Sequence, residues 1–273
     1  MNASVGFIGG GKMAEAIISA LVDSKTVKPS KINVSDVNED RLKFLKEKYG
    51  VNTYFLNTEV AAISDIVVLA VKPQVAEFVL EELKEVILGT QLFISIVAGL
   101  CIDSIESIIG GNKKIIRAMP NILVKVKEGT IGYCVNSNVD MEDCEFFECL
   151  FKNVAEVVKV EEYLMDAVTG LAGSGPAFVF LMIQALADGG VRAGLPRDKA
   201  VRLAAQTVKG AAALVLKGEH PEILKDSVMS PAGTTAEGIV KLEEKAVRSA
   251  FIEAVFAAYK RSKEISELMK KKR

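Results

Sequence analysis

A glycine-rich turn near the amino terminus constrains the fold more than any other feature of the sequence. A short apolar run at residues 4–8 leads into Gly-Gly-Gly-Lys-Met-Ala at residues 9–14, and apolar residues with helical spacing follow to residue 22. In such a strand–turn–helix unit, one glycine permits a tight turn, another lets a pyrophosphate approach, and the helix amino terminus supplies N–H groups. The pattern predicts a dinucleotide-binding turn whose cofactor contacts are Gly9, Gly10, Gly11, Lys12 and Met13.

The first 160 residues alternate between strand-like and helix-like segments. Strands are predicted over residues 4–8, 31–35, 65–71, 91–97 and 114–117, with helical spacing over 12–22, 40–49 and 74–86. Residues 66–71 are continuously apolar, as in a strand that is covered on both faces. This alternation predicts an α/β fold, a Rossmann-type doubly wound parallel sheet.

The second part of the chain has a different character. Residues 161–273 are rich in Ala, Leu, Gly and Met, and long helices are predicted over 165–193, 197–217 and 235–271. The first of these has few charges on any side, and a helix that is apolar all round must be buried. We therefore predict a dinucleotide-binding domain over residues 1–160 and an all-α dimerisation and substrate-binding domain over residues 161–273. An intertwined homodimer is expected, and a monomer in solution would contradict it.

Composition excludes several classes of protein. The formal net charge of −1 gives no bulk attraction to nucleic acid or to an anionic membrane. Four cysteines without C-x-x-C spacing and a single histidine argue against a metal site and for reduced thiols in the cytoplasm. The first residues contain no signal-peptide pattern. Residues 167–187 are uncharged and long enough for a membrane span, but glycines and a proline interrupt them, so packing inside protein is expected.

The end of the second predicted strand bears on the choice of cofactor. Asp36 lies there, where an acid accepts hydrogen bonds from ribose hydroxyls and repels a 2′-phosphate. Its neighbour Val37 offers no cation, and Lys12 and Arg41 are the alternative sources of one. The sequence therefore favours NADH and leaves NADPH open. The alternative is that Asp36 only caps the next helix.

Further cofactor contacts are expected at the carboxyl ends of the strands, where open parallel sheets bind their ligands. Taken singly, each of these residues is more often an ordinary loop residue. The predicted contacts of this kind are Asn57, Ala70, Val71, Lys72, Pro73, Ala98 and Asn121.

Two segments of the second part of the chain stand out. Residues 171–177 place glycines and a proline inside a helical region, which indicates a kink and a close backbone approach around Ser174. Residues 226–237 end in a capping-box pattern formed by Thr234 and Glu237, so a loop with free N–H groups leads into a helix. With the hydroxyls of Ser230, Thr234 and Thr235, this loop is suited to a carboxylate. The alternative is an ordinary helix N-cap.

Short motifs in a fixed order give the chain a family resemblance. With the glycine turn, they are Ala-Val-Lys-Pro-Gln (70–74), Met-Pro-Asn (119–121), Gly-Ser-Gly-Pro-Ala (173–177), Gln-Ala-Leu-Ala-Asp-Gly-Gly-Val (184–191), Ala-Gln-Thr-Val-Lys-Gly-Ala-Ala (205–212) and Ser-Pro-Ala-Gly-Thr-Thr (230–235). Together they resemble the pyrroline-5-carboxylate reductases over nearly the whole chain. The resemblance implies a cytoplasmic oxidoreductase that reduces 1-pyrroline-5-carboxylate to L-proline with NADH or NADPH, the last step of proline biosynthesis.

The resemblance also implies the assembly and the substrate contacts. It implies an active site completed by the neighbouring subunit, in a homodimer or a larger ring of dimers. The implied substrate contacts are Ser174, Val228, Ser230, Gly233, Thr234 and Thr235. The chain departs from the family pattern in two places. Ala232 replaces a common glycine, which is harmless if its φ is negative, and Asp36-Val37 replaces polar and basic residues.

The sequence offers little acid–base machinery, and imine reduction needs little. A protonated C=N bond is already electrophilic, so the protein mainly has to position the hydride donor and acceptor. His220, in a turn, is expected to be solvated. Thr235 is the predicted catalytic residue, which either donates a proton to the ring nitrogen or orients the iminium.

Two other functions fit parts of the sequence. A β-hydroxyacid dehydrogenase would share the glycine turn and a helical second domain, but it usually recruits a lysine that the helix around Ser174 lacks. A redox-sensing dinucleotide-binding module would have no need of a carboxylate cradle at residues 230–235. Oxidation of NADH on addition of pyrroline-5-carboxylate distinguishes the reductase from both.

Overall fold

The chain folds into two compact units. The computed structural model describes residues 3–271. The first unit contains the described residues up to Ser174 together with those from Ala257 onward, and the second unit is Gly175–Phe256. The first unit thus extends past residue 160, and it includes the last part of the final helix. The predicted functional division at residue 160 stays a prediction.

An eight-stranded sheet forms the centre of the first unit, in the order β3-β2-β1-β4-β5-β6-β7-β8. Neighbouring strands are parallel except β6 and β7, which are antiparallel. The strands are β1 (Val5–Ile8), β2 (Ile32–Ser35), β3 (Asn52–Tyr54), β4 (Ile66–Leu69), β5 (Leu92–Ser95), β6 (Lys114–Pro120), β7 (Gly129–Val135) and β8 (Ala155–Lys159). The predicted α/β class and doubly wound sheet are confirmed.

The helices of the first unit cover both faces of this sheet. They are α1 (Lys12–Asp23), α2 (Glu39–Tyr49), α3 (Asn57–Ala62), α4 (Pro73–Leu83), α5 (Ile102–Ile109), α6 (Met141–Phe151) and α7 (Met165–Val168). Strand β4 shows why two layers form: Ile66 and Val68 belong to one buried cluster, and Val67 and Leu69 belong to the other. A strand that is apolar at every position therefore contributes to two cores, at about 1.5–3 kcal/mol for each fully buried side chain.

The second unit is helical. Its helices are α8 (Gly175–Arg192), α9 (Arg197–Val215), α10 (Pro221–Ser227), α11 (Thr234–Glu244) and the first part of α12 (Val247–Lys271). Helices α8 and α9 pack against each other through a small cluster of Ala187, Ala200 and Ala204. Of the residues in α8, only Pro176 and Ala187 are buried within the chain.

Two of the predicted long helices are interrupted. The helix predicted over residues 165–193 contains a π-helical segment, Thr169–Gly173, and α8 starts afterwards with Pro176 in its first turn. Because a first-turn residue needs no N–H for the helix, Pro176 starts α8 and does not kink it. The helix predicted over residues 235–271 is two helices, α11 and α12, separated at Ala246, whose φ of 53° is left-handed.

The cysteines are all free thiols. Cys101, Cys134 and Cys144 are buried and Cys149 is exposed. Burial, aided by the nearby Glu162 carboxylate, raises the pKa of Cys134 to about 12. This thiol is therefore protonated at neutral pH.

Candidate active site

The glycine turn lies where the sheet order reverses. Strand β1 pairs with β2 on one side and with β4 on the other, which opens a crevice beyond their carboxyl ends. Gly9 leaves β1 with a φ of 99°, and its N–H donates to the carbonyl of Ser35 at 2.8 Å. A Cβ at Gly9 would lie 2.9 Å from the carbonyl oxygen of Ala70. Only glycine therefore fits this turn.

The following residues leave room for a ligand. Gly11 is the N-cap of α1 in an extended conformation, and a Cβ placed there would meet no atom within 4 Å. No side chain caps α1, so no protein side chain occupies its first-turn N–H groups. An unhindered backbone at the positive end of a helix fits a pyrophosphate. Lys12 is exposed in this first turn, and Met13 is half-buried.

Asp36 faces the glycine turn. Its Oδ2 accepts a hydrogen bond from the N–H of Gly10 at 2.8 Å, and its Oδ1 accepts from the N–H of Asn38 at 2.9 Å. The N-cap of α2 is Asn38, whose side chain accepts from the N–H of Arg41 at 3.0 Å. Asp36 is therefore not the cap of the next helix, and its carboxylate is held against the glycine turn instead.

A salt bridge closes the other side of the turn. Arg41 donates through Nε to the carbonyl of Gly10 and through Nη2 to Glu15, at 2.6 Å. Glu15 also accepts from the hydroxyl of Tyr49 at 2.9 Å and from Nζ of Lys48 at 3.2 Å. Burial alone would raise the pKa of Glu15, but the hydrogen bonds from Arg41, Tyr49 and Lys48 outweigh it and lower the pKa to about 2.

No sequence pattern singles out Glu15 as a site residue, and the sequence predicts Arg41 only as a cation near the ribose. An acidic residue in the first turn of a helix is usually a response to the helix dipole, so Glu15 gave no separate signal. Its pairing with a residue of the next helix is a long-range contact.

The two predicted asparagine contacts use their side chains to hold loops. Asn57 accepts from Ser35 Oγ and donates to Glu82, both at 2.8 Å. Asn121 is buried, and its Nδ2 donates to the carbonyl of Ala172 at 3.1 Å. Any contact that they make with a cofactor is additional to these structural hydrogen bonds.

The other predicted cofactor contacts follow β4 and β5. Ala70 and Val71 directly follow β4, Lys72 is the exposed N-cap of α4, and Pro73 is the first residue of that helix. Ala98 follows β5 and is half-buried. Because β1, β4 and β5 are parallel neighbours, these residues lie at the same edge of the sheet as the glycine turn.

In the second unit, most of the residues predicted to bind the substrate lie on or beside one turn. The N–H of Gly233 donates to the carbonyl of Ser230 at 3.0 Å, with Pro231 second in the turn and Ala232 third. The φ of Ala232 is 55°, so the condition for a harmless replacement of glycine is not met. A left-handed alanine costs about 1–2 kcal/mol.

The helix after this turn begins one residue earlier than the capping-box pattern predicted. Gly233 is the N-cap and Thr234 is already helical, so the predicted capping box is wrong. A Cβ at Gly233 would lie 2.3 Å from Ser230 Oγ and 3.0 Å from the carbonyl oxygen of Ser230, so a side chain at this position would displace the Ser230 hydroxyl and press on the turn. No side chain caps α11, and its first-turn N–H groups remain available to a ligand.

Three hydroxyls surround this helix terminus. Ser230 and Thr234 are exposed and Thr235 is half-buried. Within residues 3–271, none of the three hydroxyls forms a hydrogen bond with the protein. Val228 follows α10 and is 65% exposed. The arrangement offers an anion several donors at the positive end of a helix.

The remaining sequence-predicted residues lie elsewhere. Ser174 is half-buried in the first unit, and its N–H donates to the carbonyl of Thr169 at 2.9 Å. His220 is exposed as expected, but it also caps α10, because its Nδ1 accepts from the N–H of Glu222 at 3.3 Å. In the described part of the chain, no three His, Cys, Asp or Glu side chains converge on one point.

Comparison with known proteins identifies the family. Residues 162–265 match the family model for pyrroline-5-carboxylate reductase dimerisation, and residues 4–99 match that of coenzyme F420-dependent NADP oxidoreductases. A pyrroline-5-carboxylate reductase from Methanosarcina acetivorans is 45% identical over 97% of this chain and 99% of its own. One from Synechocystis is 46% identical over 98% of this chain and 100% of its own. The chain belongs to the pyrroline-5-carboxylate reductase family.

Solved structures of relatives support the same family assignment. The Plasmodium falciparum pyrroline carboxylate reductase with NADP bound is 34% identical, with a TM-score of 0.89 over 97% of this chain and 98% of its own. The Coxiella burnetii pyrroline-5-carboxylate reductase is 38% identical, with a TM-score of 0.89 over 97% and 99%. The resemblance inferred from the motifs is confirmed. The chain is an NAD(P)H-dependent oxidoreductase of proline biosynthesis that reduces 1-pyrroline-5-carboxylate to proline.

The comparisons also bear on the alternatives and on the second unit. A 3-hydroxyisobutyrate dehydrogenase is 15% identical with a TM-score of 0.51, so that rival class shares the fold alone. The second part of the chain is a dimerisation domain, and the chain forms a homo-oligomer. One described helical segment, Glu162–Arg192, is long and apolar enough to cross a membrane, and it lies entirely within the matched dimerisation region.

Proposed function

We propose that the chain carries out this reduction with two groups of residues, one in each unit. The turn between β1 and α1, with the ends of β2, β4 and β5, holds the cofactor. The turn at residues 230–235 holds the substrate. The observation that carries the proposal is the set of unpartnered hydroxyls at the uncapped start of α11, a site suited to the carboxylate of a small imino acid.

The cofactor contacts in this proposal are those predicted from the sequence. When bound, NAD(P)H supplies the hydride that reduces the C=N carbon. The turn gives the pyrophosphate backbone N–H groups, and Asp36 accepts hydrogen bonds from the adenosine ribose. The full set is Gly9, Gly10, Gly11, Lys12, Met13, Asp36, Asn57, Ala70, Val71, Lys72, Pro73, Ala98 and Asn121.

The substrate contacts have separate roles. The hydroxyls of Ser230 and Thr234 and the first-turn N–H groups of α11 bind the carboxylate, while Gly233 keeps the turn compact. Thr235 hydrogen-bonds the ring nitrogen and orients the iminium, because a hydroxyl is a poor acid near neutral pH. Ser174 and Val228 line the same pocket in the assembled enzyme.

The assembly in this proposal is an intertwined homodimer, with larger rings of dimers built from it. The second unit supports it because large apolar side chains are exposed there, among them Leu181 at 68%, Leu203 at 57% and Leu216 at 82%. Exposed apolar surface of this extent is typical of a subunit interface. We propose that residues 161–273 of one subunit complete the site on residues 1–160 of another, and that the enzyme works in the cytoplasm.

Crystals soaked with proline test the substrate site. The carboxylate of proline is expected within hydrogen-bond distance of the Ser230–Thr235 turn, with its ring nitrogen beside Thr235 Oγ1. Proline bound away from this turn would refute the assignment. Initial rates of NADH and NADPH oxidation with pyrroline-5-carboxylate, on the same preparation, show that the enzyme studied is active.

A further inference from the structure

Two oppositely charged side chains are attached to the same residue of the glycine turn. The carboxylate of Asp36 accepts from the N–H of Gly10, and the guanidinium of Arg41 donates to the carbonyl of Gly10. Arg41 also reaches the carbonyl of Gly11 at 3.3 Å. Both charges therefore lie beside the turn, at the end of β2 where the adenosine ribose of a dinucleotide is expected.

The positive charge of Arg41 is already paired. Its Nη2 lies 2.6 Å from Oε2 of Glu15, and the two side chains are only 23% and 12% exposed. Hydrogen bonds from Tyr49 and Lys48 hold Glu15 in place from its other side. An incoming phosphate would have to compete with an ionised carboxylate for this guanidinium.

The negative charge of Asp36 is not paired with a cation. Its two hydrogen bonds come from the backbone N–H groups of Gly10 and Asn38, which fix the carboxylate without neutralising it. A carboxylate oxygen accepts more than one hydrogen bond, so each oxygen can still accept from a ribose hydroxyl. A 2′-phosphate at the same point would meet an uncompensated negative charge.

We infer that Glu15 determines cofactor specificity, because it neutralises Arg41 and leaves Asp36 to select a 2′-hydroxyl. The site then binds NAD(H) in preference to NADP(H). This inference rests on the proposed cofactor site. Glu15 acts through Arg41 and is a positioning residue, which touches neither the ribose nor the reacting atoms.

Binding of two cofactor fragments tests the inference without any catalytic step. ADP-ribose and its 2′-phosphorylated form both lack the nicotinamide, and their affinities for the full-length protein are measured by titration calorimetry. The protein is expected to bind ADP-ribose at least tenfold more tightly. Equal or tighter binding of the 2′-phosphorylated fragment would overturn the inference, and failure to bind either fragment would overturn the cofactor site itself.

The variant Glu15→Gln separates the role of Glu15 from that of Asp36. Removing its charge frees Arg41, so the affinity for the 2′-phosphorylated fragment is expected to rise about five- to tenfold, with little change for ADP-ribose. Glu47→Gln, an exposed carboxylate on α2, is the matched control and should change neither affinity. An unchanged preference in Glu15→Gln would overturn the role of Glu15.

Two further variants keep the test decisive. In Glu15→Gln combined with Arg41→Gln, the gain for the 2′-phosphorylated fragment is expected to disappear, and a gain that persists would contradict the role of Arg41. Asp36→Asn keeps an acceptor for Gly10 but removes the charge, so the preference for ADP-ribose should fall about tenfold or more. If Glu15→Gln fails to fold, Asp36→Asn still decides whether this carboxylate rejects the 2′-phosphate.

Discussion

The hydroxyl of Ser262 donates a 2.7 Å hydrogen bond to Oδ1 of Asp166, which joins the last helix of the chain to α7. Ser266, one turn further along α12, donates to the same oxygen at 2.9 Å. Both serines are buried. The carboxylate thus satisfies two buried hydroxyls from one helix face and fixes the end of α12 on the first unit.

Asp166→Ala is expected to lower the stability of the first unit. The substitution leaves two buried hydroxyls without an acceptor, at a cost of about 2 kcal/mol. Asp166→Asn keeps one acceptor oxygen and should lose less. Thermal unfolding at fixed protein concentration measures both, and equal melting temperatures for Asp166→Ala and the parent would contradict the packing described.

The two ends of the glycine turn should respond differently to alanine. Gly9→Ala adds a Cβ 2.9 Å from a carbonyl oxygen at a φ of 99°, so it should lower the melting temperature and cofactor affinity together. Gly11→Ala adds a Cβ into open space, so it should leave stability nearly unchanged and weaken only cofactor binding. A large loss of stability in Gly11→Ala would contradict this account.

Thr235→Ala is expected to lower turnover, because it removes the hydroxyl that orients the iminium, and a loss of about 10²-fold or more would indicate a general-acid contact instead. The conservative variant Thr235→Ser should recover much of the activity, because it keeps the hydroxyl. Thr207→Ala is a matched control, since Thr207 is an exposed helical threonine whose hydroxyl bonds the carbonyl of its own helix at Leu203. Initial rates with pyrroline-5-carboxylate measure kcat and KM for each, and an unchanged kcat in Thr235→Ala would refute the assignment.

Neighbouring positions of the substrate turn should show opposite effects. Ala232→Gly relieves a left-handed alanine and is expected to raise stability by up to about 1 kcal/mol. Gly233→Ala forces a Cβ against Ser230 Oγ and is expected to raise the KM for the imine at least tenfold. Melting temperature and steady-state kinetics measured on both variants test this, and a fully active Gly233→Ala enzyme would count against it.

The salt bridge of Glu15 predicts how the stability of the protein changes with pH. Its folded-state pKa of about 2 lies below the ordinary value of 4.5, so its contribution to stability is complete above 4.5 and is lost as the pH falls toward 2. The stability difference between the parent and Glu15→Gln should therefore be largest near neutral pH and narrow below pH 4.5. Urea unfolding at several pH values measures it, and a difference that widens in acid would contradict the assigned pKa.

The sequence predicted the structure best where a residue pattern has a single physical explanation. The continuous apolar run at residues 66–71 predicted a central strand, and the glycine turn predicted both the fold and the crevice at its switch point. Strands β3, β7 and β8 were missed. Strand β3 has only three half-buried residues, and β7 contains Gly129 and Gly132, which read as breakers. A Cβ at these glycines would lie 2.4 Å from Val124 and 2.5 Å from Val168, respectively, and the second of these is a contact between residues far apart in the sequence.

Details of the site depended on contacts that no local pattern contains. The motif singled out the turn at residues 230–235, whose role in substrate binding stays a prediction, but the N-cap of α11 is Gly233 and not the predicted Thr234. The break at Ala246 occurs without glycine or proline. The pairing of Glu15 with Arg41 and the structural hydrogen bonds of Asn57 connect residues of different elements. A single sequence does not show which residues of different elements come into contact.

The path of the chain through its two units determines what a truncation of the protein removes. The backbone leaves the first unit after Ser174 and rejoins it at Ala257, so the helical unit is an insertion tethered at both ends. A premature stop codon shortly after residue 257 would therefore remove part of the first unit while sparing the sequence of the inserted helices. Such a truncated subunit would keep the sequence of α8 to α11 but lose Ser262 and Ser266, and with them the two hydrogen bonds to Asp166.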